Sequence, residues 1–182
     1  MSALKLHLGC GRRVLPGYVN VDVQCHAGVD VQADIARLPF APASIDFIYS
    51  CAVIEHFGRR QWRNVLAHWF ATLKPGGTLR VSTADFEAAV QRYLEAGNVD
   101  ELLGLIVGGQ RDRWDRHGMI FDFKSLATGL TAVGFVNVRR YDWRQTELAA
   151  QGIDDYSQAY LPHMDKERGR LMMLNVTADK PA

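Results

Sequence analysis

The run Leu6-His7-Leu8-Gly9-Cys10-Gly11 ends a short apolar stretch on a Gly-X-Gly turn, and Val19-Asn20-Val21-Asp22 ends a second apolar stretch on an acid. In an open α/β sheet, ligands lie in the crevice beyond the carboxyl ends of the strands. Glycines at that point let the backbone come close to a ligand. A carboxylate at the end of the neighbouring strand can accept hydrogen bonds from ribose hydroxyls. The pair therefore reads as a site for a nucleoside-bearing ligand. The dinucleotide fingerprint needs a third glycine three positions after the second, and that position is Val14. The P-loop needs Gly-Lys-Ser/Thr, which the chain lacks. Both phosphate-cradling readings lose their main support. What remains is a turn that passes close to an amino-acid-like group and a ribose.

These residues need a sheet to hold them. Residues 4–8 and 18–23 read as strands, Val29 to Asp34 as a short third, and Asp46 to Cys51 as a fourth rich in aromatic and β-branched residues. Trp62, Val65, Leu66, Trp69, Phe70 and Leu73 recur at helical spacing and face a core, and Lys74-Pro75-Gly76-Gly77 stops that helix. Thr78 to Ser82 is the next strand. A second amphipathic helix carries Phe86, Ala89, Val90, Tyr93 and Leu94 on one face, with Asp85 as its cap and Gly97 beyond it. Leu102, Leu103 and Ile106 suggest a short helix before a charged, glycine-bearing loop from Gly108 to Gly118. Asp122 caps a helix through Leu126, Leu130 and Val133, and strands follow over 136–143 and 171–177. Residues 145–169 are polar and ambiguous. The alternation predicts an α/β domain with a largely parallel sheet. With no repeat or linker in view, residues 1–182 are expected to form one domain.

Net charge is +1, so nothing global points to nucleic acid, membrane or polyanion as partner. Three cysteines, with no Cys-X-X-Cys, suggest neither a disulfide framework nor a metal site. No signal-like segment or membrane-length apolar run is present, so a cytoplasmic location is expected.

Leu8-Gly9-Cys10-Gly11, Asp22, Asp34 before Leu38-Pro39-Phe40, Ile45-Asp46-Phe47-Ile48, Ile54-Glu55-His56 and Leu73-Lys74-Pro75-Gly76-Gly77 come in a fixed order. In that order the chain resembles the class I S-adenosylmethionine-dependent methyltransferases, and most closely the methyltransferase type 11 group. The resemblance covers residues 4–82 well and the rest in outline. It implies a Rossmann-like sheet of about seven strands with one antiparallel strand near the C-terminal edge. It implies S-adenosylmethionine as cofactor and S-adenosylhomocysteine as product. By the same resemblance, Gly9, Cys10 and Gly11 would lie under the methionine part. Asp22, with Val23 beside it, would take the ribose, and Asp34 with Ile35 the adenine. Ser50 and Cys51 would flank the reacting sulfonium. Residues 98–121 would cover the acceptor pocket. The chain departs from the family in one respect: only Arg12 to Tyr18 separate the glycine turn from Val19, where a full helix is usual. The gap from Asp22 to Asp34 is also short. The sheet is therefore expected to be trimmed on its N-terminal edge.

Transfer of a methyl group is a displacement in which the protein supplies alignment and electrostatics, and a base only when the acceptor carries a proton. His56 reads either as a base or substrate contact, or as a structural cap. Glu55 reads as a contact to the cofactor's amino end or as a solvated loop acid. His117 lies in the covering segment as a catalytic candidate or an exposed loop histidine. Asp85 is better explained by capping, Cys10 and Cys51 by packing, and the Trp62/Trp69 stripe by the core. The run Gln110 to Arg116 interleaves arginines with Trp114, but Asp112 and Asp115 offset the charge, so it reads as a lid loop or a contact to a phosphate-bearing small substrate. The leading expectation is methyl transfer to a hydroxyl, amine or carboxyl of a small molecule such as a sugar, nucleotide-sugar or metabolite. The alternative is a catalytically silent, cofactor-binding relative acting as sensor or subunit. Oligomeric state is not legible.

Overall fold

The computed structural model describes residues 3–182. Strands β1 (Lys5–Leu8), β2 (Val19–Asp22), β3 (Val31–Gln32), β4 (Ile45–Cys51), β5 (Leu73–Ala84), β6 (Val136–Arg140) and β9 (Met173–Asp179) form one seven-stranded sheet in the order β3-β2-β1-β4-β5-β9-β6. The pairs from β3 through β5 are parallel. β9 runs antiparallel to both β5 and β6. Two short strands, β7 (Tyr160–Leu161) and β8 (Arg170–Leu171), make a separate hairpin. The order reverses between β1 and β4, so the crevice at the carboxyl ends of β1, β2 and β4 is the position where such sheets bind ligands.

Both faces of a parallel sheet must be covered. On one face, α1 (Trp62–Thr72) and α4 (Phe123–Val133) bury Trp62, Leu66, Trp69, Leu126 and Leu130 against Leu6, Ile48 and Val81. The tryptophan stripe is core, and the Trp69 indole N–H donates to the Ile35 carbonyl at 2.8 Å. Asp122 caps α4 in a capping box with Ser125, and Gly134 ends it in the left-handed conformation. Helix α1 ends at Thr72, and β5 starts directly at Leu73, so the Lys-Pro-Gly-Gly run lies inside the strand as an irregular entry rather than as a cap.

The opposite face shows the consequence of the trimmed edge. The chain passes from β1 to the parallel β2 through residues 9–18 with no helix. A buried side chain takes over the work a helix would do. Asn20 Oδ1 accepts the Leu15 N–H at 2.8 Å, and its amide donates to the carbonyls of Leu15 and Tyr18, both at 3.2 Å. The sheet surface left bare is covered by the segment following β6. Leu148, on the short α5 (Glu147–Ala150), packs with Leu15, Tyr18, Tyr49, Cys51 and Met173. The Tyr18 hydroxyl donates to Glu147 at 2.8 Å, and Arg80 pairs with the same carboxylate at 3.0 Å.

Helix α2 (Phe86–Ala96) departs from expectation. Asp85 caps it and Gly97 ends it as the sequence suggests, but of the apolar face only Ala89 is buried, while Phe86, Val90, Tyr93 and Leu94 remain exposed. The short α3 (Leu103–Val107) follows and leads into the charged loop.

Because the C-terminal segment replaces the missing helix cover, Leu148→Ala should lower unfolding free energy by about 2–5 kcal/mol, the usual range for truncating a fully buried leucine. Denaturant melts measure this. A loss below 1 kcal/mol would mean that the segment rests on the sheet without supporting it.

Candidate active site

Two connected chambers open at the carboxyl edge of the sheet. The first, of about 630 Å³, is lined by Gly9, Gly11, Asp22, Val23, Asp34, Ile35, Val53, Phe57 and Val65, with Arg113 and Trp114 from the charged loop. The second, of about 570 Å³, is lined by His7, Cys10, Cys51, Asp155 and Tyr156, with Arg111, Asp112 and Asp115 from the same loop. Gly9, Gly11, Ala52, His56 and Trp114 line both. Each volume is of a size that holds a small organic ligand.

The glycine turn is built for close approach. Gly9 sits at φ +67°, and a Cβ there would lie 2.4 Å from a Val53 methyl. Gly11 sits at φ +53° with no atom within 4 Å of the Cβ position, so its bare face opens onto free space. Asp22 fixes this turn: one carboxylate oxygen accepts the Gly11 N–H at 2.7 Å and the other the Gln24 N–H at 2.8 Å. Each oxygen keeps a further lone pair for a ligand hydroxyl. Asp34 caps a 3-10 turn at Ile35–Arg37 through the Ala36 N–H, with its other oxygen open. Two acceptors and several apolar side chains on one chamber wall could hold an adenosine: ribose hydroxyls at Asp22, an adenine amino group at Asp34, and a purine against Ile35, Val53, Phe57 and Val65. A methionine tail beside Gly9–Gly11 completes the fit to S-adenosylmethionine.

The other sequence candidates fall elsewhere. Cys10 and Cys51 face the second chamber. Burial pushes the Cys10 thiol up to about 11 and the Cys51 thiol higher still, so both are protonated packing groups. Ser50 is buried with its hydroxyl unpartnered and lines neither chamber. Glu55 is also buried and faces a separate small void with Thr83, Asp85 and Met119, its Oε1 accepting the Ala84 N–H at 3.4 Å. His56 lines both chambers, but its Nδ1 lies 3.1 Å from the Arg116 carbonyl and its Nε2 3.1 Å from the Ala52 carbonyl. A neutral imidazole has one N–H and donates to one of these two carbonyls at a time. The ring stands as a clasp between the end of β4 and the charged loop. His117 lines neither chamber. Its Nδ1 meets the Leu105 carbonyl at 3.0 Å and its ring stands edge-on to His56 at 4.9 Å. Burial lowers its basicity, against the pull of Glu55.

Three features of the site were not legible in the sequence. Ala52 adopts φ +54°, a strained conformation for alanine, and turns the chain into the crevice. His7, in an apolar strand, points into the second chamber, and Asp155 reaches the same chamber from the C-terminal segment. Only the left-handed Ala52 follows a local pattern, that of a tight turn ending a parallel strand. No sequence spacing joins His7 to Asp155. The Asn20 network determines the His7 tautomer. Asn20 Oδ1 is held as an acceptor, so the His7 Nδ1 facing it at 3.1 Å carries the proton and Nε2 is the bare nitrogen. Burial lowers the His7 pKa to about 4, with the Asn20 hydrogen bond opposing it.

A family model described as a methyltransferase domain matches residues 16–81. The sequence has no significant match among curated proteins. Among solved structures, a SAM-dependent methyltransferase of Thermotoga maritima, described as a possible histamine N-methyltransferase, superposes with a TM-score of 0.62 at 14% identity, over 99% of this chain and 83% of that one. The Burkholderia thailandensis 1,6-didemethyltoxoflavin-N1-methyltransferase, solved with its substrate and S-adenosylhomocysteine, gives 0.58 at 17% identity over 99% and 72%. A possible exported protein of Bordetella parapertussis gives 0.58 at 18% identity, and this chain spans 62% of its length.

Two outcomes test the geometry. Gly9→Ala should lower the melting temperature. The left-handed backbone costs a non-glycine residue roughly 1–2 kcal/mol, and overpacking Val53 adds about 1–3 kcal/mol. An unchanged melt would contradict the close approach to Val53. By NMR, His7 should stay neutral, with the proton on Nδ1, until pH falls to about 4. Its folded pKa is depressed below 6.5, so the stability tied to its burial is complete above pH 6.5 and is lost as pH falls toward 4. A His7 titration near 6.5 would show an open, solvated ring. A methyltransferase-domain match over residues 16–81 and a shared fold are what the chain has in common with SAM-dependent methyltransferases.

Proposed function

We propose that this protein transfers a methyl group from S-adenosylmethionine to a small-molecule acceptor. The observation that carries the reading is the single chamber that Asp34, Asp22 and the bare face of Gly11 line together. The cofactor supplies an activated methyl group. The protein's part is to hold it and to exclude competing water. Asp22 takes the ribose while fixing the glycine turn, Asp34 and Ile35 take the adenine edge, and Gly9 to Gly11 leave room for the methionine part. Cys10 and Cys51 stay protonated and pack the second chamber's wall.

The charged loop supplies the cover. It is anchored at its far end by Gly118 and Met119, whose N–H groups donate to the Glu55 carbonyl at 2.8 and 3.1 Å, and by the His56 clasp. Gly118 packs so closely on Gly58 that a Cβ would lie 2.9 Å from its Cα. Trp114 and Arg113 then lie over the first chamber, and Asp112 and Asp115 over the second. The mixed charge of this cover and the net charge of +1 favour a small acceptor over a nucleic acid. Among the described residues, no helix is long and apolar enough to cross a membrane.

Calorimetric titration with S-adenosylmethionine and S-adenosylhomocysteine should give one site. Asp22→Ala should weaken both at least tenfold, since it removes the ribose acceptor and frees the Gly11 and Gln24 N–H groups together. No heat from a folded sample would refute the reading. Binding without turnover across amines, hydroxyls and acids would instead favour the silent, cofactor-binding relative.

A further inference from the structure

A buried carboxyl group lines the second chamber. Asp155 is only 4% exposed, yet it lines the chamber. Its Oδ1 accepts the Ser157 hydroxyl at 2.6 Å and the Ser157 N–H at 3.1 Å. The Tyr49 hydroxyl stands beside the group, 3.4 Å from the Asp155 carbonyl, and among the described residues no donor lies within 3.5 Å of Oδ2 in hydrogen-bonding geometry. The backbone around it is pinned. The Arg13 guanidinium donates to the Asp154 carbonyl at 2.6 Å and stacks on the Tyr156 ring at 4.2 Å, and the Asn175 amide donates to the Ser157 carbonyl at 2.9 Å. A buried carboxyl group needs hydrogen-bond partners, and one open toward a cavity points to a ligand that brings them.

A second acceptor faces the same space. The tautomer forced by Asn20 leaves His7 Nε2 as a lone pair, and the ring is locked by stacking on Tyr49 at 5.4 Å. The chamber's inner wall thus offers two open acceptors, a carboxylate oxygen and an imidazole nitrogen, beside the thiols of Cys10 and Cys51. Arg12, Arg13 and Arg111 also line the chamber, but at these two atoms a carboxylate ligand would find no donor, whereas an amine or hydroxyl would satisfy both.

We propose that the second chamber is the acceptor site, that it takes a small amine or alcohol rather than a carboxylic acid, and that Asp155 Oδ2 and His7 Nε2 receive its N–H or O–H groups. The proposal rests on the methyltransferase reading above. Methylation exchanges one N–H or O–H hydrogen of such an acceptor for a methyl group. The acceptor's lone pair forms the new bond to carbon, the electrons of the broken C–S bond remain on sulfur as a neutral thioether, and the displaced proton passes to Asp155 Oδ2 and on to solvent. Asp155 is then the proton acceptor, a role that His56, with a backbone carbonyl against each ring nitrogen, is not placed to fill.

The test uses the whole protein loaded with S-adenosylhomocysteine and titrated separately with ethanolamine and acetate. The ¹⁵N resonance of His7 Nε2 and the amide of Ser157 report on the site. Ethanolamine should shift both signals, and acetate neither. Asp155→Asn keeps an oxygen for Ser157 and should weaken ethanolamine at least tenfold while leaving S-adenosylhomocysteine affinity within twofold. The proposal is overturned if ethanolamine moves neither signal, if acetate moves them equally, or if the variant binds ethanolamine as the parent does. A tenfold loss of S-adenosylhomocysteine affinity in the variant also overturns it, because the chamber would then hold the cofactor's own amino-acid end. Failure of the parent protein to bind S-adenosylhomocysteine would remove the cofactor reading itself, a separate result. If the variant does not fold, the two titrations of the parent protein decide alone.

Discussion

The Asp22 carboxylate is the fixed point of the structure. It stands at the end of β2 and holds the Gly11 N–H beyond the end of β1 and the Gln24 N–H beyond its own strand. Charge-assisted hydrogen bonds of this kind are short and strong, and here they join the two strand ends that a long crossover would otherwise separate. Gly9 and Gly11 can then hold their left-handed turn against Val53 and open space. The crevice exists because the turn is fixed, and the turn is fixed by a residue that faces the crevice. The shape of the crevice and local stability are therefore coupled at one side chain.

The trimmed edge follows the same logic. Omitting the first crossover helix leaves backbone groups without partners and one face of the sheet uncovered, two separate costs. Asn20 answers the first by serving as donor and acceptor to the loop before β2. The segment carrying Leu148 and Glu147 answers the second from the far end of the chain. That second solution also brings Asp155 to the crevice, so the compensation for a missing helix furnishes a wall of the second chamber. Fold economy and the candidate acceptor site arise from one rearrangement.

What could be read from the sequence follows the range of the interactions. Strand ends marked by glycine and acid, the Trp62/Trp69 stripe, and the Asp85 and Asp122 caps are local signals, and the structure has all of them. The shortened crossovers were visible as counts of residues between motifs. The exposed face of α2 was not, because periodicity shows that a helix is two-sided but not that its apolar side has something to cover. His56 lines the crevice, and the carbonyl that the charged loop brings against its ring depends on the path of that loop. His7 was hidden in an apolar strand. Asp155 lay in the segment with no periodic pattern, where only tertiary packing decides position.

The central claim is that Asp22 and Asp34 hold the two ends of an adenosine while Gly11 faces the methionine part. A crystal structure of the complex with S-adenosylhomocysteine tests it most directly. The account predicts ribose hydroxyls within hydrogen-bond distance of the Asp22 carboxylate, with its bonds to Gly11 and Gln24 intact, and the adenine between Ile35 and Val53 with its amino group toward Asp34. A nucleoside bound away from Asp22, or a carboxylate that must leave the Gly11 N–H to reach the ribose, would contradict it.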